Sequence, residues 1–139
     1  MIEGGEKDVF YKKNTRAITR EDRISAQKAW ERAWDWEGLL EKTTDPALLE
    51  VNYGVNNESL WGIGITKDGQ WLITVDPNDA LFIRTASGAL KPYPLERVFI
   101  HELGHFPMGG TGPASPQSSA IWFENSWAKQ HGHPLRENR

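Results

Sequence analysis

The spacing of apolar residues changes character along the chain and divides it into stretches of different expected structure. In the first twenty residues apolar positions stand isolated among polar and basic ones such as Lys12, Lys13, Arg16 and Arg20. This pattern predicts an arm or irregular lead-in over 1–20. From about Ile24 to Leu40 the apolar residues Ala29, Trp30, Ala33 and Trp34 recur at three- and four-residue intervals, as on a helix face. Ser25 is a candidate cap, and Asp45-Pro46 marks a stop beyond the end. Trp30 and Trp34 share a face, a placement more often used for core packing than for a ligand platform.

The period then shortens. Leu49-Glu50-Val51-Asn52-Tyr53 alternates, and Leu60 to Ile65 and Trp71 to Val75 are short apolar runs rich in strand formers. Asp68-Gly69, between the last two runs, is a hairpin signal. Leu81-Phe82-Ile83-Arg84, followed by Ser87-Gly88, fits a strand or a short helix. From Pro94 the helical period returns through Leu95, Val98, Phe99, Leu103 and Phe106, with Pro94 suited to a first helical position and Pro107 with Gly109-Gly110 as the end. After a loop of small residues over about 108–115, Ser115-Pro116 reads as a cap and first-turn proline. A second helix follows through Ala120 to Gln130, closed by Gly132 and Pro134. Helices flanking a block of strands predict an α+β fold: a small twisted antiparallel or mixed sheet packed on the two C-terminal helices, in one domain over 21–139.

Length and composition narrow the chemistry. At 139 residues the chain suits a single core, and 38% hydrophobic with 25% charged residues excludes wholesale disorder. With 19 acidic against 16 basic groups and no basic stripe, nucleic acid is not an expected partner. No run approaches the roughly eighteen apolar residues of a membrane span, and the first eight residues lack the apolar segment of a Sec-type signal. The expectation is a soluble chain made in the cytoplasm, with a place in a longer polypeptide left open. The cysteine count is zero, so any metal must be held by histidine nitrogen and carboxylate oxygen.

The helix from Pro94 carries such donors. In His101-Glu102-Leu103-Gly104-His105 the two histidines lie four apart on one face, so both rings can address one ion, and Glu102 sits within reach of a metal-bound water. The bland alternative is a pair of ordinary core or surface histidines. Burial of Glu102 among Val98, Phe99, Ile100 and Leu103 would be costly without a partner, and that favours the metal. A zinc peptidase site needs a third protein ligand, for which Glu124, set among Ile121, Trp122, Phe123 and Trp127 on the next helix, is the best candidate. His131 and His133 are rival third ligands or oxyanion donors, or simply loop histidines beside Gly132. A metzincin would need a third histidine six residues after His105, where Thr111 stands. Asn125 and Asp76 fit either a supporting hydrogen bond or ordinary surface structure.

HELGH followed about nineteen residues later by a helix-borne Glu124-Asn125 resembles the gluzincin zinc metallopeptidases. The ending Trp122-Phe123-Glu124-Asn125 with Gly132-His133-Pro134-Leu135-Arg136 resembles more closely the small bacterial effector and polymorphic-toxin metallopeptidases of the NleD type. The resemblance covers about 72–136. It departs from the family pattern at Phe106-Pro107 and at Ala128-Lys129, which touch the pocket and the substrate rather than the metal triad. It implies a zincin-like fold and Zn2+ held by His101, His105 and Glu124, with Glu102 as general base for hydrolysis of a protein or peptide substrate. It further implies export by a specialised secretion system, with a cognate immunity protein or a secretion component as partner. Two other readings are a peptidoglycan cross-bridge metalloendopeptidase and a non-catalytic tryptophan-rich binding module with a degenerate motif.

Overall fold

In a computed structural model the described residues are 3–6, 9–12, 16–36, 49–53, 61–65, 71–78, 80–85, 87–106 and 115–136. The element order is β1 (Glu3–Glu6), β2 (Val9–Lys12), α1 (Arg20–Trp34), β3 (Leu49–Tyr53), β4 (Trp61–Ile65), β5 (Trp71–Val75), β6 (Ala80–Arg84), β7 (Leu90–Pro92), α2 (Leu95–His105) and α3 (Gln117–Gln130). The fold is α+β, with an antiparallel sheet in the order β1-β2-β6-β7 and a mixed sheet in the order β3-β5-β4. Among the described residues no helix is long and apolar enough to cross a membrane.

The expected lead-in is in fact part of a sheet. β2 runs antiparallel to β6 with Val9 opposite Ile83 and Phe10 opposite Phe82. Val9, Leu81 and Ile83 point into the core, while Phe10 faces outward under the Arg84 guanidinium, 4.7 Å from its ring centroid. A four-residue strand shows two alternations at most, and its pairing partner lies some seventy residues away, so local pattern alone does not reveal it. β6 resolves the strand-or-helix alternative at Leu81 to Arg84. A turn through Gly88, whose φ of +87° suits glycine, leads into β7, a strand too short for the pattern to announce.

The expected hairpin forms, with β4 and β5 antiparallel from Trp61 opposite Val75 to Ile65 opposite Trp71. Its Asp68-Gly69 turn lies outside the described residues. β3 pairs with β5 in parallel, so β5 is central and β3 and β4 are its neighbours.

α1 begins four residues before Ile24. Thr19 is its cap, with the Thr19 hydroxyl accepting from the Asp22 N–H and the Asp22 carboxylate accepting from the Thr19 N–H. Ser25 therefore lies inside the helix. The first turn is polar on every side, so apolar periodicity does not mark it. Leu40 and Asp45-Pro46 lie outside the described residues. Asp22 also accepts from Asn78 Nδ2 at 2.8 Å and Arg16 Nη1 at 3.3 Å. The Thr19 backbone bond, followed by the Asn78 bond, holds its carboxyl at about 2, below the ordinary 3.8. Further along the helix Ala26, Ala29, Trp30 and Ala33 are buried. Trp30 packs edge-on against Trp34 and against Phe99 of α2, with centroids 5.5 and 5.0 Å apart, so the tryptophan pair is core packing.

α2 is the central element. Every residue from Arg97 to Gly104 is buried, with α1 on one side, α3 on another and β4 nearby. Pro94 is its cap rather than its first residue, and Pro116 likewise caps α3, one position later than the Ser115 expectation. α3 ends as expected at Gly132, where φ is +70° and the His133 N–H bonds back to Ala128 O at 2.8 Å. At Gly104 the two helices nearly touch: a Cβ there would lie 2.8 Å from Ala120 Cα and 3.0 Å from Ala120 O.

Since the clash at position 104 is with backbone, Gly104→Ala is expected to force α2 and α3 apart and to lower stability by about 1–3 kcal/mol in urea denaturation. Asp22, with its depressed folded pKa, contributes stability above pH 3.8 that is lost as pH falls towards 2. The acid limb of the stability profile of Asp22→Asn is therefore expected to be shallower than that of the wild type.

Candidate metal centre

His101 and His105 stand one turn apart on α2, with ring centroids 5.0 Å apart and planes at 77°. Each ring is anchored through Nδ1. His101 Nδ1 lies 2.7 Å from Glu124 Oε1, and His105 Nδ1 lies 2.7 Å from Ser115 O. A carbonyl and an ionised carboxylate can only accept, so both Nδ1 atoms carry the hydrogen and donate. The two Nε2 atoms are then the ring nitrogens that can address an ion. These converge: Gln117 Oε1 is 3.1 Å from His101 Nε2 and 2.9 Å from His105 Nε2. Glu102 is buried in the same turn, and ligand atoms of His101, Glu102 and His105 all lie within 4.8 Å of one another. This group can hold a metal ion. Histidine ligands in metal sites normally donate their second nitrogen to a carboxylate or backbone carbonyl, which is the arrangement of these two rings.

Ser115 makes its tie to His105 twice, since its N–H also donates to His105 O at 2.7 Å. The chain therefore returns to α2 at a fixed place before α3 begins, and Gln117 follows two residues later.

Glu124 is on α3, as expected, and meets the pair through His101 Nδ1. It is wholly buried, with Oε1 accepting from His101 Nδ1 and from Arg136 Nη1 at 3.2 Å, and Oε2 accepting from Arg97 Nε at 2.5 Å. It lies on the Nδ1 side of His101 and does not join the group formed by His101, Glu102 and His105. The apolar surroundings on α3 did signal a carboxylate in need of a partner. Its protein partners are two guanidiniums and an imidazole N–H. Burial alone would raise its pKa, but the hydrogen bond from His101 and the charges of His101, Arg97 and Arg136 outweigh it and hold the carboxyl at about 2.

Arg97 is itself fully buried. Its guanidinium lies 4.9 Å from the Tyr93 ring centroid and donates from Nη1 to Pro134 O at 2.6 Å. Burial, reinforced by the Glu124 charge, pushes the Tyr93 phenol well above its usual range, so it stays protonated. Arg136 is held by Asn125 through two 2.8 Å bonds, Asn125 Nδ2 donating to Arg136 O and Arg136 N donating to Asn125 Oδ1. Glu124, Asn125 and Arg136 are thus one interlocked unit, with Asn125 positioning the tail. Asp76 accepts from the Asn78 N–H at 2.9 Å and closes the turn after β5.

The two remaining histidines lie elsewhere. The His131 ring stacks on Trp127 with centroids 4.5 Å apart, its Nδ1 2.8 Å from Trp127 O, and the His133 ring lies 4.9 Å from the same indole. Neither joins the metal-competent group. They follow the last turn of α3, about 20 Å along the helix axis from Gln117. His131 and His133, read from the sequence as rival ligands or oxyanion donors, stand outside that group. Burial and then the charge of Arg97 lower the pKa of His133.

Three residues of the centre escaped the sequence reading. Arg97 had a signal, since it stands four residues before His101 on the same face of one helix. Arg136 was visible as a motif residue without a role. Gln117 had none, because a neutral amide is not an expected ligand and its place depends on how α3 folds back. Comparison of the chain with protein-family models, with curated proteins and with solved structures finds no match.

Arg97→Met leaves Glu124 buried with one guanidinium fewer and is expected to lower stability by about 3–5 kcal/mol. Combining it with Glu124→Gln is expected to recover part of that loss, so a double-mutant cycle in urea yields a clear coupling energy.

Proposed function

We propose that this chain is a zinc-dependent peptidase of zincin-like architecture. The observation that carries the reading is the grouping of ligand atoms of His101, His105 and the buried Glu102 within 4.8 Å of one another, with both Nδ1 atoms anchored. A site built from imidazole nitrogen and oxygen without thiolate suits Zn2+. Bound there, zinc supplies Lewis acidity, polarising a scissile carbonyl and acidifying water. Glu102 then takes the proton of the attacking water and passes it to the leaving amine. Glu124 and Ser115 O hold the two rings through Nδ1, so that Nε2 is the nitrogen that addresses the ion. β4, an edge of the mixed sheet that meets α2, is a natural strand for an extended substrate to pair with.

The resemblance to effector and toxin peptidases favours a protein target in another cell, with export by a specialised secretion system and a cognate immunity protein as parts of the same proposal. A tryptophan-built binding module is the weaker reading, because Trp30, Trp36 and Trp127 are buried in the core.

The test is metal content together with turnover. Elemental analysis of chelator-free protein is expected to find about one zinc per chain, and Glu102→Gln to keep the metal while losing proteolysis of a cell lysate. A chain that refuses zinc, or a Glu102→Gln variant that still turns over, overturns the reading. Cleavage of muropeptides in place of proteins would move the substrate to peptidoglycan.

A further inference from the structure

We propose that Arg136 is a positioning residue of the metal centre, and that the segment 132–136 is a strap whose docking on α2 and α3 is coupled to zinc binding. The inference rests on the metal-centre reading and adds to it a means of regulation.

The first support is where the Arg136 guanidinium arrives. Its Nη1 donates to Glu124 Oε1 at 3.2 Å, the oxygen that also accepts from His101 Nδ1 at 2.7 Å, and it stands 3.3 Å from that nitrogen. The second is how Arg97 holds the same carboxylate. It donates to Oε2 through Nε alone, with Nη1 turned to Pro134 O and Nη2 making no hydrogen bond among the described residues. A guanidinium that meets both oxygens fixes the plane of a carboxylate by itself, and one that meets a single oxygen does not. Arg136 adds a contact at the other oxygen, the one presented to His101.

The third support is the way the strap is held. Gly132, at a φ of +70°, turns the chain out of α3. His133 N–H then donates to Ala128 O at 2.8 Å, Arg97 Nη1 to Pro134 O at 2.6 Å, and Asn125 exchanges two 2.8 Å bonds with the Arg136 backbone. Leu135 is left 53% exposed while Arg136 is 4% exposed. A segment docked for hydrophobic burial alone would turn its leucine inward and its charge outward.

Docking and metal binding are reciprocal. An undocked strap takes Arg136 away from Glu124, and the His101 ring loses part of what holds it. Whatever the docked strap adds to zinc affinity, zinc returns as stability of the docked strap. Anything that lifts the strap lowers zinc affinity without touching the ion.

The experiment measures zinc affinity of the whole chain by competition with a chromophoric chelator, for wild type, Arg136→Met, Arg136→Lys and Asn125→Ala, with circular dichroism as the fold check. It is paired with amide hydrogen exchange of the wild type with and without Zn2+. Arg136→Met is expected to bind zinc about 10- to 100-fold more weakly, the range for loss of an outer partner, and Arg136→Lys to recover part of that loss. Asn125→Ala is expected to weaken zinc binding as well, although the hydrogen bonds of Asn125 run to Arg136 rather than to a histidine. Zinc is expected to slow exchange at the His133 and Arg136 amides more than at amides of α1. If Arg136→Met does not fold, Asn125→Ala and the wild-type exchange decide the matter. Folded variants that keep wild-type zinc affinity, or strap amides that zinc does not slow, would overturn the coupling and leave the metal centre standing. A wild-type chain that takes up no zinc would instead remove the metal centre, and the coupling with it.

Discussion

The carboxylate of Glu124, without exposed surface, receives hydrogen bonds from Arg97 and His101 on α2 and from Arg136 in the C-terminal tail. A bare carboxylate in that position would be strongly disfavoured, as would either arginine alone, so the three elements have to come together for any of them to be buried. This constraint sets the packing of α3 against α2 and brings the tail back across both. The same contact orients a histidine. The Glu124 oxygen that neutralises Arg136 also takes the hydrogen of His101 Nδ1, and through it directs Nε2 towards His105.

Three ties at successive levels hold the α2–α3 pair, and each depends on a different kind of physics. At the end near His105 the reciprocal Ser115 backbone bonds close the connection. One step along, Gly104 allows the backbones to approach to a distance at which no side chain fits. Deeper still, the charge cluster joins Glu124 to Arg97. A metal site benefits from such rigidity, because ligand atoms held in place before the ion arrives need little reorganisation. The sheets contribute support rather than chemistry, with α2 buried among α1, α3 and β4.

Much of the fold was legible where local pattern is long and regular. Among the described residues the apolar period marked the three helices and the β4–β5 hairpin, and the His101-Glu102-His105 turn follows from helical geometry alone. Boundaries were missed where caps rather than apolar residues define them, as at Thr19. Strands were missed where four residues pair with a distant partner, as β2 does with β6. In the site the sequence led to the helix face of His101, Glu102 and His105 and to a Glu124 in need of partners, but it did not foresee the ion pairs of Glu124 with Arg97 and Arg136.

By itself the sequence determined that any metal here is held without thiolate, that two histidines share one face with a glutamate between them, and that a further carboxylate on the next helix is buried. Those facts follow from residue type and helical period, which are local. The tertiary structure decided which nitrogen of each ring faces inward, that Glu124 neutralises arginines, and that Gln117 meets the imidazoles. They depend on the angle and register at which α3 packs on α2. A close approach at Gly104 and a charge cluster drawn from residues 97, 124 and 136 set that register, and no window of sequence contains both.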